Sequence, residues 1–451
     1  LRGFTGDTRS ASLAPPLVAA LKDLAARQGQ TLTATLLAAF QVLLARLSGQ
    51  DDLVVGVPMA GQPRCGAPGL VGHHADFLPL RARIDPAEPF ATHLARTGAA
   101  LAEAAGHADC TLGRLLRHLD RPHDPARPPL AQVQFNLQNF GNGLDFGGGL
   151  RGTLAPAPKR FSTFELTVSL SETADGITLD ATYNRALFEP ATIERWIGHY
   201  LTLLGHLARD PAQPIGRVPL LSPAERKSML VDWNTTETAH PLKVGAMRGF
   251  RLHALRHPDR VAIRFGEETV TYGVLDAWAD RVSGALRAHD LPEGARVGIL
   301  MHRSPGLVAA MLGALRAGIP YVPLDPAMPS ARRAGIIADA GVKAMLTLAA
   351  DRALMPEAGP RIIEVDRLAG PAPGRFPRVP ADRPAYLIYT SSTTGAPKGV
   401  EVLHRGLSNL LFSMARAPGI GRDDRLLAVT TVTFDIAGLE LLLPLIRGAE
   451  I

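Results

Sequence analysis

Apolar side chains recur at helical spacing over residues 13–28 and 31–47. Leu17, Leu21 and Leu24 form one stripe, and Leu36, Phe40, Leu43, Leu44 and Leu47 the next. The unbroken run from Leu53 to Val57 predicts a buried strand, and Phe77 to Arg81 another. A glycine-rich connector at 141–152 precedes an alternating segment at 164–170, and the pattern over 190–207 suffices for two helices. Prolines then crowd residues 211–223 and mark the main boundary. Beyond it the rhythm becomes strand, helix, strand, helix. Strands are expected at 261–265, 268–271, 297–301, 321–324 and 344–348, with helices at 274–288, 305–317 and 331–340. That alternation argues for a mostly parallel, doubly wound sheet with helices on both faces. The domain expectation is therefore 1–210, a linker at 211–243, and a second domain at 244–451. A further proline-rich span, 371–384, reads as a long surface connection.

At 451 residues the chain exceeds one ordinary core, and about two to three domains are expected. Apolar content of 46% and charged content of 20% are globular values. The formal net charge of +6 is spread along the chain as arginine, with no basic block interleaved with aromatics, which argues against a nucleic-acid binder. Cys65 and Cys110 have neither metal nor redox spacing and fit a reducing, cytoplasmic setting. The apolar run 307–315 is too short to span a bilayer. Leu1 in place of a start methionine, and a strand-like run closing at Ile451, give the expectation of a piece of a longer protein.

The chemistry concentrates at residues 386–400. An apolar, aromatic lead-in (Tyr386-Leu387-Ile388-Tyr389) meets five consecutive hydroxyl residues, Thr390 to Thr394. Gly395, Pro397, Lys398 and Gly399 follow. On chemistry alone this is either a solvated Ser/Thr/Gly loop or a cradle for an oxygen-rich anion, built from backbone N–H groups, hydroxyls and one ammonium. It is not the Walker spacing. The chain has only six lysines (Lys22, Lys159, Lys227, Lys243, Lys343, Lys398), so a lysine here stands out from an arginine-rich background.

The string resembles the phosphate-binding loop of the adenylate-forming enzymes, Y-T-S-G-S-T-G-x-P-K-G. It departs at Ser392, where the family has Gly, and at Thr393, where it has Ser. The resemblance implies that Thr390, Ser391, Ser392, Thr393, Thr394, Gly395, Lys398 and Gly399 hold the pyrophosphate of ATP. Val270 to Leu275 and Leu315 to Asp325 resemble two further segments of the amino-acid adenylation domains of nonribosomal peptide synthetases. Taken alone these are structural: a helix capped at Gly318, then a buried strand.

Phe434-Asp435-Ile436-Ala437 follows an apolar-alternating run (426–434) and opens an apolar helix, so its plain reading is a helix N-cap. It also resembles the adenylation-domain segment F-D-x-S. That likeness implies that Asp435 holds the substrate's α-ammonium and that Phe434, Ile436 and Leu439 line the amino-acid pocket. An ammonium and a carboxylate at about 4 Å in an effective dielectric near 20 attract by about 4 kcal/mol before desolvation. The same carboxylate facing a fatty acid would be a liability.

Residues 1–220 resemble the C-terminal lobe of a condensation domain, with a chloramphenicol-acetyltransferase-like α/β fold. The carriers are Val71 to Arg81, Pro129 to Asn139, Phe188-Glu189-Pro190 and, in the linker, Val231 to Thr236. His73-His74-Ala75-Asp76 is not the family's catalytic H-H-x-x-x-D-G, because Asp76 stands two residues after His74 and no glycine follows. A strand puts His74 and Asp76 on one face and His73 on the other, so these three do not make a metal site, and no metal-ligating residue is expected. No catalytic residue is assigned with certainty. The condensation histidines and the adenylation lysine of the family would fall outside the chain.

The resemblance implies a ligase of a modular nonribosomal peptide synthetase that uses ATP and Mg2+ and loads a phosphopantetheine carrier protein. Its implied partners are an amino acid, carrier-protein domains and other synthetase modules, with no nucleic acid and no membrane. It also gives the expectation that the 451-residue piece turns over poorly by itself. The alternatives are an acyl-CoA or aryl-acid ligase of the same superfamily, a non-catalytic docking fragment, and a stand-alone acyltransferase, which would lack its histidine motif.

Overall fold

The computed structural model describes residues 3–451 except 61–74, 120–123, 125–126, 140–143, 153–156, 158, 174–175, 243–244, 246, 293, 357–358, 371–377 and 391–397. The chain forms two compact units, Leu1–Thr236 and Glu237–Ile451.

The first unit runs β1 (Gly6–Leu13), α1 (Pro15–Arg27), α2 (Leu32–Ser48), β2 (Asp52–Ala60), β3 (Ala75–Arg83), α3 (Phe90–Gly106), α4 (Leu112–His118) and β4 (Val133–Asn139). A two-residue pair, β5 (Leu144–Asp145) and β6 (Arg151–Gly152), occupies the glycine-rich connector. It precedes β7 (Leu166–Thr173), β8 (Gly176–Asn184), α5 (Pro190–Arg209) and α6 (Pro223–Leu230). Six strands form one mixed sheet in the order β1-β8-β7-β4-β2-β3, with β4 parallel to both neighbours. Alternate residues Val55, Phe135, Val168 and Leu179 meet Leu36, Phe40 and Leu43 of α2 and Ile193, Tyr200 and Leu204 of α5 in one core. Thr31 accepts the Ala34 N–H at 3.1 Å and starts α2, while Gly49, at φ +70°, ends it.

Two expectations change here. The pattern over 190–207 is a single helix, because the stripe Ile193, Ile197, Tyr200, Leu204, Leu207 continues unbroken against the sheet and no breaker interrupts it. The proline-rich start of the expected linker is packed into the first unit. Ile215 and Val218 are fully buried, and Arg46 donates to both of their carbonyls at 3.0 Å. Proline there limits helix and sheet but not burial.

The second unit runs α7 (Met247–Arg256), β9 (Val261–Phe265), β10 (Glu268–Thr271), α8 (Tyr272–Ala288), β11 (Arg296–Leu300), α9 (Pro305–Ala317) and β12 (Tyr321–Leu324). Then come α10 (Ser330–Asp339), β13 (Val342–Thr347), β14 (Arg361–Glu364), β15 (Pro384–Thr390), β16 (Lys398–Leu403), α11 (His404–Met414) and α12 (Asp435–Arg447). The main sheet has the order β14-β13-β11-β12-β15-β16, parallel except for β16, and β9 and β10 form a separate antiparallel pair. Every residue of α9 from Pro305 to Leu315 is buried, which explains its apolar run as core. Gly318 at φ +71° takes the left-handed cap that the sequence suggested. Among the described residues, no single helix is long and apolar enough to cross a membrane.

The apolar-alternating run at 426–434 is not a strand. Arg425 makes one bridge to Glu450, and the segment beyond it is irregular, with Leu427 82% and Val429 69% exposed. Alternation marks a strand only where a sheet edge pairs with it, and side-chain anchors hold this segment instead.

Candidate functional site

Three parallel strands, β11, β12 and β15, end on the same side of the sheet. In doubly wound sheets the crevice beyond these carboxyl ends is where ligands bind, because loops diverge there and leave backbone groups uncommitted. β15 reaches this edge at Thr390, and β16 starts back from it at Lys398, directly paired with Thr390. The hydroxyl-rich run is therefore entered from β15 at Thr390 and left on β16 at Lys398, two residues paired across antiparallel strands. Of the expected anion-binding residues, Thr390, Lys398 and Gly399 are described and all three are exposed. Ser391, Ser392, Thr393, Thr394 and Gly395 lie outside the described residues. The Thr390 hydroxyl donates to the Lys398 carbonyl at 3.5 Å across the pair.

Both strands are pinned at this end. The Tyr389 hydroxyl donates to the Asp339 carboxylate at the end of α10. Burial, with that carboxylate's help, pushes the Tyr389 phenol up to about 12. Its ring crosses over Gly399, where an added Cβ would stand 3.1 Å from the ring Cζ and 3.3 Å from a Leu387 methyl. A glycine at 399 is thus what lets the aromatic side chain cross the two-strand ladder.

Asp435 is the first residue of α12, with Phe434 in the capping position at φ −112°, and no side chain caps the helix. The plain N-cap reading of Asp435 is therefore corrected: its exposed carboxylate does not close the helix start. It does sit at the positive end of the helix, where a negative charge gains about 0.3–1 kcal/mol. Its field reaches Tyr386. Burial raises that phenol, and the Asp435 charge adds to the rise. Tyr386 lies four residues before Thr390 on β15, about 13 Å along the strand. The charge of Asp435 thus falls on the strand that ends at Thr390, four residues short of that end. Phe434 is 50% and Ile436 44% exposed beside it, and Leu439 is partly buried against the core.

The residues that hold the segment 428–431, just before Asp435, left little sign in the sequence. Arg303, just beyond β11, donates to the carbonyls of Ala428 (2.8 Å) and Thr430 (2.6 Å). Asp325, just beyond β12, accepts the Thr431 hydroxyl at 3.0 Å. Glu440, inside α12, accepts the Val429 and Thr430 N–H groups (3.1 and 2.9 Å) and the Thr430 hydroxyl (2.9 Å). The only signal for Asp325 was its place at the end of the Leu315 to Asp325 segment, and Arg303 and Glu440 gave none. His302 also stands at this edge, its Nδ1 2.5 Å from the buried Asp351 carboxylate.

Among the described residues, no three His, Cys, Asp or Glu side chains gather to hold an ion. His73 and His74 lie outside the described residues. His404 is buried, and desolvation pushes it down to about 4, but it follows β16 at the end remote from the loop.

The AMP-binding enzyme family model matches residues 250–451, and the Condensation domain model matches residues 1–230. A linear gramicidin synthase of Brevibacillus parabrevis is 37% identical over 99% of this chain, which covers 9% of that protein. A plipastatin synthase of Bacillus subtilis (strain 168) is 32% identical over 100% of this chain, which covers 12% of it. The chain thus spans about a tenth of the length of these relatives. A four-domain nonribosomal peptide synthetase, holo-AB3403, bound to AMP and glycine, superposes with a TM-score of 0.87 at 23% identity. The match covers 100% of this chain and 35% of that one, and it shows the fold. The nonribosomal peptide synthetase FmoA3 in its AMPPNP-bound form gives 0.74 at 26% identity, over 100% of this chain and 48% of its own. With a condensation family segment followed by an AMP-binding enzyme segment, the chain belongs to the nonribosomal peptide synthetases.

Proposed function

We propose that residues 244–451 supply the ATP-gripping and amine-recognising part of an amino-acid adenylation site. A substrate carboxylate oxygen attacks the α-phosphorus of ATP, the bond to the bridging oxygen breaks, and pyrophosphate leaves. The observation that supports this best is that Thr431, four residues before Asp435, is tied to Asp325 just beyond β12, at the sheet edge where β15 ends at Thr390 and β16 starts at Lys398. Lys398 and the Thr390 hydroxyl would offset the charge of the departing phosphates. Positioning and charge stabilisation are the main work in such a transfer. Asp435 would pair with the substrate's α-ammonium. An exposed carboxylate not spent on capping suits that role, and it disfavours an acyl-CoA or aryl-acid ligase, whose substrate brings no cation to pair with it.

Magnesium would supply charge neutralisation on the phosphates. The described residues offer it no cluster of ligands, so it would arrive with the nucleotide. The product would pass to a phosphopantetheine thiol on a carrier-protein domain, and residues 1–210 would belong to the neighbouring condensation domain. These partners follow from membership of a multidomain family.

Calorimetric titration of the 451-residue chain with ATP tests the grip. Removing one charge-assisted contact of about 1.5–3 kcal/mol by Lys398→Ala weakens binding tenfold or more. No binding above background by the native chain, or no loss in the variant, supports the docking-fragment reading instead. In a synthetase containing this segment, Asp435→Asn abolishes amino-acid-dependent pyrophosphate exchange while ATP affinity holds.

A further inference from the structure

Arg303 and Asp325 tie the segment before Asp435 to the sheet edge, and Glu440 ties it to α12 itself. The segment then closes on itself. The Thr431 carbonyl accepts the Phe434 N–H at 3.0 Å, in a turn that runs directly into α12 at Asp435. The tie from Arg303 is the most demanding of these. One guanidinium reaches two carbonyls, at Ala428 and Thr430, from an exposed side chain with many rotamers open to it. Such a contact persists where the backbone that carries the arginine is held still.

Both neighbours of Arg303 are held. The His302 N–H donates to one carboxylate oxygen of Asp351 at 2.9 Å, and the His302 Nδ1 lies 2.5 Å from the other. A carboxylate only accepts, so Nδ1 carries the proton in this contact. The Ser304 hydroxyl donates to the His302 carbonyl at 3.1 Å and accepts the Leu307 N–H at 3.3 Å, which starts α9. Residue 302 is thus gripped at its N–H, its ring and its carbonyl.

The far side of the clamp is fixed. Asp351 belongs to the short 3-10 turn Ala349–Leu354 beyond β13, and its own N–H donates to the Leu348 carbonyl at 3.0 Å. β13 pairs with β11, so the two strand exits stand side by side and the carboxylate spans them. Its side chain is 8% exposed, and a buried carboxylate depends on its partners, two of which come from His302. The His302 imidazole is 69% exposed, so its place is set by this contact and not by packing.

We propose that His302 and Asp351 are positioning residues for Asp435. The buried carboxylate clamps residue 302, the clamp aims Arg303, and Arg303 holds the backbone that leads into α12. The role of Asp435 rests on the adenylation reading, and the clamp does not.

Residue-resolved hydrogen exchange of the 451-residue chain tests the clamp. In His302→Ala, a change at an exposed side chain, the Val429 and Thr430 amides should exchange about threefold faster. His302→Asn, whose side-chain N–H stands near the place of Nδ1, should restore the native rates. In an Arg303→Ala background, which by itself speeds these amides, His302→Ala should add nothing, because the clamp acts through that arginine. In a synthetase containing this segment, His302→Ala should raise the amino-acid KM in pyrophosphate exchange about threefold and leave the KM for ATP unchanged. His302→Asn should again restore it. Unchanged rates at 429 and 430, or an undiminished effect without Arg303, overturn the clamp. Faster amide exchange with an unchanged amino-acid KM overturns the positioning role. No amino-acid-dependent exchange by the native synthetase refutes the adenylation reading itself, and the positioning role falls with it, while the amide rates still decide the clamp.

Discussion

Glu440 anchors residues 429 and 430, in the segment that leads to Asp435, and Glu440→Gln isolates its charge. The carboxylate receives two backbone N–H groups and one hydroxyl from residues 429 and 430, and two of the three bonds are partly buried. A glutamine keeps the shape and an acceptor oxygen but loses the charge assistance, which is about half of each bond's strength. With about 1 kcal/mol lost at each partly buried bond and little at the exposed one, the segment loosens by about 2 kcal/mol. That corresponds to about thirtyfold more frequent local opening. Hydrogen exchange resolved by residue reads this directly. The amides of Val429 and Thr430 should exchange about thirtyfold faster, while those of Leu387 and Ile388 in the β15 ladder keep their rates. Unchanged exchange at 429 and 430 would refute the anchor. Equal acceleration in β15 would refute its locality.

Three further outcomes follow from the packing. Gly399→Ala brings a methyl to 3.1 Å from the Tyr389 ring at an exposed strand end, where side chains can shift, so urea unfolding should move the second unit by about 1 kcal/mol or less. Tyr200→Phe removes a buried hydroxyl that donates to the Leu36 carbonyl at 2.7 Å. The first unit should lose about 1–2 kcal/mol, read from exchange of α2 and α5 amides. His93 is held near 4 when folded against 6.5 as the reference, so between those values the unfolded chain binds the extra proton. Its contribution is intact above pH 6.5 and is lost as pH falls, by about 3 kcal/mol at pH 4. His93→Gln should flatten that part of the stability–pH curve.

Membership of the synthetase family was legible because it rests on local strings. The hydroxyl-lysine run at 390–399, the helix-cap-strand unit ending at Asp325 and the Phe434-Asp435 pair each carry their chemistry within a few residues. Elements with a strong periodic face were legible for the same reason: α2, α8, α9 and β12 fall where their apolar spacing puts them, within a residue or two at each end. The alternation over 426–434 carries no strand, because alternation reports a side-chain pattern and not a partner strand. The packing of Ile215 and Val218 was missed because proline clusters advertise a boundary even where a chain continues into a core.

Local sequence, then, named the candidates for gripping an anion or an amine, since side-chain type and short-range spacing are written in the chain. Only the tertiary structure decided that Asp435 is uncapped and borders the strand that carries Thr390. The segment before Asp435 is tied down by Arg303, Asp325 and Glu440, which are remote in sequence from the loop, and of the three Asp325 alone lies in a legible string. The buried bond from the Thr97 hydroxyl to Gln41 Oε1 (3.0 Å) was invisible for the same reason: it depends on α2 and α3 meeting in space, and no spacing along the chain records it.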